Sequence, residues 1–276
     1  AREAPGLLPP LEQDEALEVT QVFSAAGLLG PGASLIGVRP FRAPHHAISV
    51  PGLVGGGQVP RPGEVSLAHH GVLFLDELPE FRREALEALR QPLESGSVLI
   101  SRAARQVELP ARFQLVAAMN PCPCGYRGHP RIPCRCPPAF VQRYRHRISG
   151  PLLDRLDLVV EVPAPSVEEL ATASAHGADS SEAALRSRVD RAIAARRARQ
   201  GERRNGELSA DEIDRFAPLA PDGRSMVGAA ARRRGLSARA IQSLRRVART
   251  VADLDGDAEV GTAHLAQALA LRAEIG

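Results

Sequence analysis

Two adjacent carboxylates, Asp76 and Glu77, directly follow the four apolar residues 72–75. An unbroken apolar run of this length is typical of a strand buried on both faces, as in a parallel sheet covered by helices. Ligands of such sheets bind at the carboxyl ends of the strands. One acid could therefore hold Mg²⁺ on nucleotide phosphates, and the other could activate water as a general base. Alternatively, both acids face the N-terminus of a helix that begins near Pro79.

A second apolar segment, residues 112–118, also predicts a buried strand, and it leads into Asn120. An amide at the carboxyl end of a strand could orient a water molecule beside a γ-phosphate. It could equally cap the turn that follows, as Asn commonly does. A third run, residues 158–162, predicts one more strand, which Pro163 ends.

All four cysteines of the chain lie within fifteen residues, as two Cys-x-Cys pairs separated by nine residues. Four thiolates bind Zn²⁺ in a closed tetrahedron that leaves no position open for catalysis. The surrounding loop is rich in Pro and Gly and has little packing of its own, so a metal would order it. We therefore predict one structural Zn²⁺ in a reducing compartment, the cytoplasm; the alternative is four reduced thiols in a flexible loop. The cysteines are Cys122, Cys124, Cys134 and Cys136.

Two pairs of adjacent histidines, His45-His46 and His69-His70, raise the question of a further metal site. Adjacent side chains point apart on both helices and strands, so neither pair is expected to chelate an ion. Histidines in solvent or at the edge of the core are predicted instead.

The composition limits the classes of protein to which the chain can belong. Its 276 residues, 44% of them hydrophobic, can bury a full core in two domains. All 35 basic residues are Arg. The phosphate-binding motif G-x-x-x-x-G-K-[ST] needs Lys and is therefore absent from these 276 residues. The net charge of +3 permits contact with nucleic acid without requiring it. No apolar run is long enough to span a membrane, so no membrane partner is expected.

Helices are predicted on either side of these segments. Apolar residues recur at helical spacing within residues 1–30. Residues 81–94 predict one helix with a single apolar face, which Gly96 ends as a C-terminal cap. After residue 181 the pattern is helical to the end of the sequence.

The order of these features resembles that of an AAA+ ATPase: a strand with two acids, a strand with Asn, a basic segment, a further strand and a helical tail. More narrowly, the chain resembles the magnesium-chelatase-like ComM/YifB family. The resemblance covers nearly the whole chain and rests on long strings in the family's order. These strings are Arg39-Pro-Phe-Arg-Ala-Pro-His-His46, Leu53-Val-Gly-Gly-Gly57, residues 61–77, Met119-Asn-Pro-Cys-Pro-Cys-Gly125, Ile148-Ser-Gly-Pro-Leu-Leu-Asp-Arg-Leu-Asp157, Gly235-Leu-Ser-Ala-Arg-Ala240 and Val247-Ala-Arg-Thr-Val-Ala-Asp253.

The resemblance implies roles for individual residues. Asp76 matches the Mg²⁺ ligand of the ATP site, and Glu77 matches the catalytic base, which also lies at the nucleotide. Asn120 matches the first sensor, which contacts the γ-phosphate and helps to place the water. Arg155 matches the arginine finger that a subunit offers to its neighbour's nucleotide, and Arg239 matches the second sensor at the nucleotide. Arg suits both positions because its permanently charged guanidinium forks onto phosphate oxygens.

The resemblance also implies an α/β fold in two domains. An AAA+ parallel-sheet core, incomplete at its N-terminus, would span residues 1–165, and a linker with an all-α lid domain would span residues 166–276. Family members carry a P-loop upstream of the position of Ala1. The chain is therefore expected to begin after that loop and to be inactive as an ATPase by itself.

The function implied by the resemblance is that of an ATP- and Mg²⁺-dependent ring, expected to be a hexamer, that acts on DNA by branch migration or unwinding during recombination and natural transformation. The predicted hairpin at residues 97–100 and 106–109 would line the pore, with Arg102 and Arg105 in its turn touching DNA phosphates; the alternative is a solvated turn. Two other functions stay open. They are metal insertion, as in true magnesium chelatases, and a non-catalytic regulator.

Overall fold

The computed structural model describes residues 4–57, 59–102, 105–163 and 178–272. The chain forms two compact units, Ala1–Arg155 and Leu156–Gly276, and each has its own hydrophobic core. The first unit is α/β and the second is helical, which confirms the predicted fold class. None of the described helices is both long enough and apolar enough to cross a membrane.

The first unit is built from short helices and short strands. In chain order they are α1 (Ala4–Leu7), α2 (Gln13–Ala25), β1 (Phe41–Arg42), α3 (Val50–Val54), β2 (Gly55–Gly56), β3 (Arg61–Pro62), α4 (Glu64–Leu67), β4 (Val72–Leu75), a 3₁₀ turn (Leu78–Glu80), α5 (Arg83–Ala88), α6 (Arg90–Ser95), β5 (Ser97–Arg102), β6 (Arg105–Pro110), β7 (Gln114–Ala117), α7 (Pro138–Arg145) and α8 (Gly150–Leu153). The prediction of one helix over residues 81–94 is wrong, since α5 and α6 are separate. Pro92 explains the break, because it lacks an N–H and its ring clashes with the carbonyl four residues back.

β4 is the central strand of a three-stranded parallel sheet with the order β1-β4-β7. Val72, Leu73 and Leu75 are almost completely buried, which confirms a strand covered on both faces. Leu75 pairs with Ala117 in the register of the sheet, so β4 and β7 end side by side. The second edge of β7 pairs with no other strand among the described residues.

β5 and β6 form the predicted antiparallel hairpin. Val98 and Ile100 are buried in the core of the first unit, whereas Leu99 between them is exposed, as the alternation of side chains along a strand requires. Burial of each such side chain stabilises the fold by about 1.5–3 kcal/mol. Residues 103–104 of the turn and the side chains of Arg102 and Arg105 lie outside the described residues.

The described part of the second unit consists of helices and one 3₁₀ turn: α9 (Ala178–Gln200), the turn (Asn205–Glu207), α10 (Ala210–Phe216), α11 (Pro221–Arg234), α12 (Ala238–Asp255) and α13 (Thr262–Ala270). The strand predicted over residues 158–162 is wrong. Val159 forms an isolated bridge with Arg272, and Val162 is 86% exposed. The run is extended chain that lacks a neighbouring strand among the described residues.

A buried polar network connects α9, the 3₁₀ turn and α12. Three donors surround the carboxylate of Asp253, namely Arg199, Asn205 and Arg249. Burial alone would raise the pKa of Asp253, but the hydrogen bonds from Arg199 and Asn205 and the nearby charges hold it below its usual range. Because a buried charge that loses its partner is strongly destabilising, this network fixes how α9 packs on α12.

Candidate functional site

The carboxyl edge of the parallel sheet brings together three residues that the sequence predicted to be functional. Asp76 and Glu77 follow β4, and Asn120 lies three residues beyond β7. The two segments stay paired past the strands, since the backbone N–H of Leu78 donates to the carbonyl of Ala118 at 2.9 Å. Asp76, Glu77 and Asn120 are all exposed, as residues that meet a ligand at this edge must be.

Glu77 has an unusual backbone conformation, with φ 53° and ψ 47°. This left-handed region is uncommon for residues other than Gly. The N–H of Glu77 donates to Oδ1 of Asp76 at 2.9 Å, and the 3₁₀ turn with Pro79 follows at once. Strained backbone of this kind concentrates at functional sites, so the conformation supports a role for the acidic pair.

His46 contacts the acidic pair, a role that the sequence did not predict. Its Nδ1 lies 3.2 Å from Oε2 of Glu77, and its ring meets that of Phe81 edge-on at 6.4 Å between centroids. His46 follows β1 by four residues, so it reaches the same edge of the parallel sheet. The available signal was its place at the end of the string Arg39–His46.

The backbone of Asn120 lies near the hydroxyl of Tyr144, on α7, and acts to lower the pKa of that hydroxyl. Burial, followed by the negative charge of Glu80, raises the pKa of Tyr144, so the hydroxyl stays neutral. Among the described residues the side-chain amide of Asn120 makes no hydrogen bond. The alternative role of Asn120 as a turn cap is therefore not realised there.

Arg155 is held against neighbouring elements of the first unit. Its guanidinium donates to the carbonyl of Pro151 at 2.6 Å and to Oε2 of Glu94, on α6, at 2.7 Å. The side chain is only 10% exposed. Within the described residues, these hydrogen bonds connect Arg155 to α6 and α8 and not to Asp76 or Glu77.

Arg239 belongs to the second unit, in the first turn of α12, and is half-buried. The hydroxyl of Ser237 caps this helix by accepting from the N–H of Ala240 at 3.1 Å. Burial lowers the pKa of Arg246 on the same helix, and the charge of Arg239 lowers it further. Arg239 therefore adds to the positive charge around Arg246 on this helix.

The four cysteines lie together in the loop between β7 and α7. All four Sγ atoms lie within 4.8 Å of one another. The Cys122–Cys124, Cys122–Cys134 and Cys124–Cys134 sulfur distances are 3.4, 3.6 and 3.7 Å. Thiolates placed about 2.3 Å from a tetrahedral Zn²⁺ would lie about 3.8 Å apart, so the cluster has the size of such a site.

Thiolate chemistry is also favoured in this cluster. The backbone hydrogen bond from Tyr126 lowers the pKa of Cys124 to about 6. The hydrogen bond with Cys124 in turn raises the pKa of Cys136 to about 12. The lowered pKa favours Cys124 as a thiolate at neutral pH, and thiolates are the metal-binding form of Cys.

The prediction that adjacent histidines point apart is wrong for His69 and His70. Both Nε2 atoms lie 2.8 Å from Oε2 of Glu18, on α2, and the two ring centroids are 4.0 Å apart. The reason is the backbone of His70, whose φ of 53° is neither helical nor extended. A left-handed residue breaks the alternation on which the prediction depended.

This histidine pair forms a structural network and is poorly suited to hold a metal. Nδ1 of His69 accepts the backbone N–H of Arg112 at 3.0 Å, so Nε2 carries the ring proton and donates it to Glu18. A metal-binding imidazole needs the opposite arrangement, with its second nitrogen donating. Burial lowers the pKa of His69 to about 4, against the opposing effect of Glu18, so this ring is neutral.

Two family models match the chain. One, described as magnesium chelatase, subunit ChlI, matches residues 1–170, and the other, described as magnesium chelatase, subunit ChlI C-terminal, matches residues 179–272. The chain belongs to the magnesium chelatase ChlI family. The first match covers the part of this ChlI-family chain that contains the sheet edge and the cysteine cluster. The second match covers helices.

Curated relatives narrow the family further. Competence protein ComM of Haemophilus influenzae is 45% identical over 273 residues, which cover 98% of this chain and 52% of ComM. Uncharacterized protein YifB of Escherichia coli is 44% identical over 272 residues, which cover 97% of this chain and 52% of YifB. These matches confirm the resemblance to the ComM/YifB family. The chain spans about half the length of the curated relatives it matches.

Proposed function

We propose that this chain is part of an ATP-hydrolysing AAA+ motor that acts on DNA. The observation that carries the proposal is the convergence of Asp76, Glu77 and Asn120 on one edge of a parallel sheet. Transfer of a phosphoryl group to water needs, beside a phosphate-binding loop, a ligand for Mg²⁺ and groups that orient and deprotonate the water. Two exposed carboxylates and an amide can supply these groups. The family match supports the ATPase class.

Asp76 is suited to hold the Mg²⁺ of Mg-ATP, because Mg²⁺ prefers carboxylate oxygens. When bound, the ion neutralises charge on the phosphates. Glu77 takes the proton of the attacking water as a general base, and His46 holds the carboxylate of Glu77 in place. Asn120 orients the water beside the γ-phosphate.

The motor is proposed to be a ring of identical subunits, a hexamer, in the cytoplasm. Arg155 would act on the nucleotide of the neighbouring subunit, where a guanidinium offsets the charge that develops on the transferred phosphoryl group. For this, the guanidinium of Arg155 must leave Glu94, because the side chain is only 10% exposed where it lies. Arg239 would contact the same or the adjacent nucleotide from the helical lid.

DNA in recombination, moved by branch migration or unwinding, is the proposed substrate. One relative, 45% identical over nearly this whole chain, is named a competence protein. Competence is the uptake of DNA by bacteria, and this is why DNA is proposed as the substrate. The arginine-only set of basic residues is compatible with phosphate contact.

We also propose that the cysteine cluster holds one structural Zn²⁺. The sulfur distances of 3.4–3.7 Å support this, and four thiolates leave no site for a substrate. The ion would order the loop that connects Asn120 with α7. Its role is therefore to shape the site and not to catalyse.

Metal insertion is the second candidate, because the matching family models are described as magnesium chelatase subunits. An assay of ATP-dependent magnesium insertion into a porphyrin, with and without chelatase partner subunits, separates the two functions. Insertion activity without any DNA-stimulated ATP hydrolysis would select the second candidate.

The proposed function is tested on the whole protein that contains this chain, because these 276 residues contain no Lys for a phosphate-binding loop. ATP hydrolysis and ATP binding are measured with and without branched DNA. Glu77→Gln should keep binding and lower hydrolysis by about 100-fold or more, as expected for removal of a general base. Glu84→Gln, the same change at an exposed site on α5, is the control and should leave the rate unchanged. Full hydrolysis by the Glu77 variant would refute the assignment.

A further inference from the structure

The segment around the cysteine cluster has an unusual charge distribution. The 45 residues 109–153 contain seven Arg and no Asp or Glu, although the whole chain has 35 basic and 32 acidic residues. Three of these arginines, Arg127, Arg131 and Arg135, lie between the first and the last cysteine. We call residues 121–137 the arginine loop.

The three arginines of the loop are exposed. None of them forms a side-chain hydrogen bond or an ion pair within the part of the chain that the structure describes. Other arginines of the first unit differ in this respect: Arg147 pairs with Glu80 at 2.8 Å, and Arg42 pairs with Glu64 at 2.6 Å. The loop therefore offers three unneutralised guanidinium groups to a partner.

The backbone of the loop is fixed although it contains no helix or strand. Gly125 and Gly128 adopt φ values of 80° and 82°. The ring of His129 accepts the N–H groups of Arg131 and Ile132 at 3.1 and 3.0 Å. With the thiols gathered at both ends of the loop, the arginines sit on a constrained platform, which reduces the entropy lost on binding.

We propose that the arginine loop binds the phosphate backbone of DNA. A surface of one charge sign is suited to a polyanion, whereas protein partners present both signs and would need acids here to pair with their own arginines and lysines. Guanidinium groups fork onto phosphate oxygens. Tyr126, 42% exposed, lies beside the arginines and can contact a sugar or an unpaired base. The proposal rests on the proposed function in DNA and names the surface that touches it.

The test compares two triple variants of the chain with the same change of net charge. Arg127, Arg131 and Arg135 are changed to Gln in one. Three exposed arginines of the helical unit, Arg215, Arg232 and Arg233, are changed to Gln in the other. Fluorescence anisotropy of labelled single- and double-stranded oligonucleotides gives Kd at several salt concentrations.

We expect the loop triple to weaken DNA binding by about 10-fold or more. The slope of log Kd against log salt should fall by about two to three, close to one per lost phosphate contact. The helical-unit triple should stay within about two-fold of wild type, since it makes the same change of net charge but leaves the arginine loop intact. A third variant, with Lys at 127, 131 and 135, keeps the charge and should retain most of the binding.

Five results would overturn the proposal. The first four are no DNA binding by the wild-type chain, wild-type affinity in the loop triple, equal losses in both Gln triples, and a Lys variant that loses as much as the Gln variant. Loss of self-association without DNA in the loop triple would assign the loop to a subunit contact and also overturn it. The ATPase test is independent of this one. If Glu77→Gln leaves hydrolysis intact while the loop still binds DNA, the proposed catalytic role fails and the loop proposal stands. If Glu77→Gln abolishes hydrolysis while the loop triple keeps wild-type DNA affinity, only the loop proposal fails.

Discussion

Glu77 joins a proposed catalytic role to a backbone conformation that few residues tolerate. In a regular extended chain, Asp76 and Glu77 would point to opposite faces of the sheet. The left-handed backbone at Glu77, with φ 53°, breaks that alternation immediately after the strand. Conformational strain of about 1–2 kcal/mol, the cost of a Cβ in this region, is thus retained where the chemistry is proposed.

We predict that Glu77→Gly is more stable than Glu77→Ala by about 0.5–1 kcal/mol, because glycine adopts a positive φ without steric cost. Urea unfolding of both variants measures the difference. Glu84 in the first turn of α5 is the control, and there the order should reverse by roughly 1 kcal/mol, since Ala is the better helix former. Equal stabilities at position 77 would argue against the left-handed conformation.

Among the elements, α2 is fastened to the segment before β4 by ionisable side chains. Glu15 pairs with Arg39 at 2.7 Å, and the guanidinium of Arg39 also donates to the carbonyl of His70. Burial alone would raise the pKa of Glu15 and of Glu18. The charge of Arg39 nevertheless lowers the pKa of Glu15, and hydrogen bonds from His69 and His70 lower that of Glu18. The packing of α2 should therefore depend on pH.

We predict that the free energy of unfolding falls as the pH drops from 6.5 to 4. The pKa of His69 is about 4 in the folded chain against an ordinary 6.5, so in this window the unfolded chain takes up a proton that the folded chain does not. The linked loss is about 3 kcal/mol. Below pH 4.5, the ordinary pKa of Glu15 and Glu18, protonation of these lowered carboxylates removes further stability.

Urea unfolding at a series of pH values checks this prediction. His69→Gln should remove the part of the slope between pH 6.5 and about 5, because no ring remains to be protonated. His146→Gln, on the exposed surface, is the matched control and should keep the wild-type slope. A His69 variant with the same pH dependence as wild type would contradict the network.

The loop between β7 and α7 should depend on metal. We predict about one Zn²⁺ per chain by elemental analysis of protein purified without chelator, as a tetrahedral Cys₄ site requires. A strong chelator should lower Tm, because the ion cross-links a loop without other regular structure. In the variant with Cys134 and Cys136 both changed to Ser, Zn²⁺ should be absent and the chelator should have no effect. A metal-free wild type with an unchanged melting curve would refute the site.

The sequence predicted most elements for physical reasons that the structure bears out. The unbroken apolar run of β4 marked a buried parallel strand, and two short apolar segments on either side of a basic turn marked the hairpin of β5 and β6. It failed where backbone geometry overrides a period. The positive φ of His70 brought two adjacent rings together, and an apolar run at 158–162 found no strand to pair with.

At the candidate site, the strand ends could be predicted, but the contact between His46 and Glu77 could not. His46 reaches Glu77 through an irregular segment after β1, and no periodicity describes such a path. The approach of Tyr144 to the Asn120 backbone involves residues on either side of the cysteine loop. Its formation depends on how that loop folds back, which sequence spacing does not fix.

For the whole molecule, we predict that Arg155 acts across a subunit boundary of the proposed ring. Full-length Arg155→Ala and Glu77→Gln proteins should each be inactive, because an arginine finger contributes about 10³–10⁵ in rate. Mixed rings should recover partial ATP hydrolysis, since some interfaces contain both groups.

Mixing is followed by steady-state ATP hydrolysis and by light scattering to confirm that rings form. A double variant carrying both changes in one chain, mixed with itself, is the control and should stay inactive. Mixed rings that assemble without any recovered activity would show that Arg155 acts within its own subunit or not at all.

The unpaired edge of β7 has a practical consequence for the molecule in solution. Parallel strands normally lie inside a sheet, yet the side chains of β7 are only partly covered, and its second row of N–H and C=O groups meets no strand of the described chain. Such an edge is a template on which other extended chains can grow. The purified chain should therefore aggregate through β7, the strand that leads to Asn120, and more so at higher protein concentration. A segment that pairs with this edge as an additional strand would prevent the aggregation.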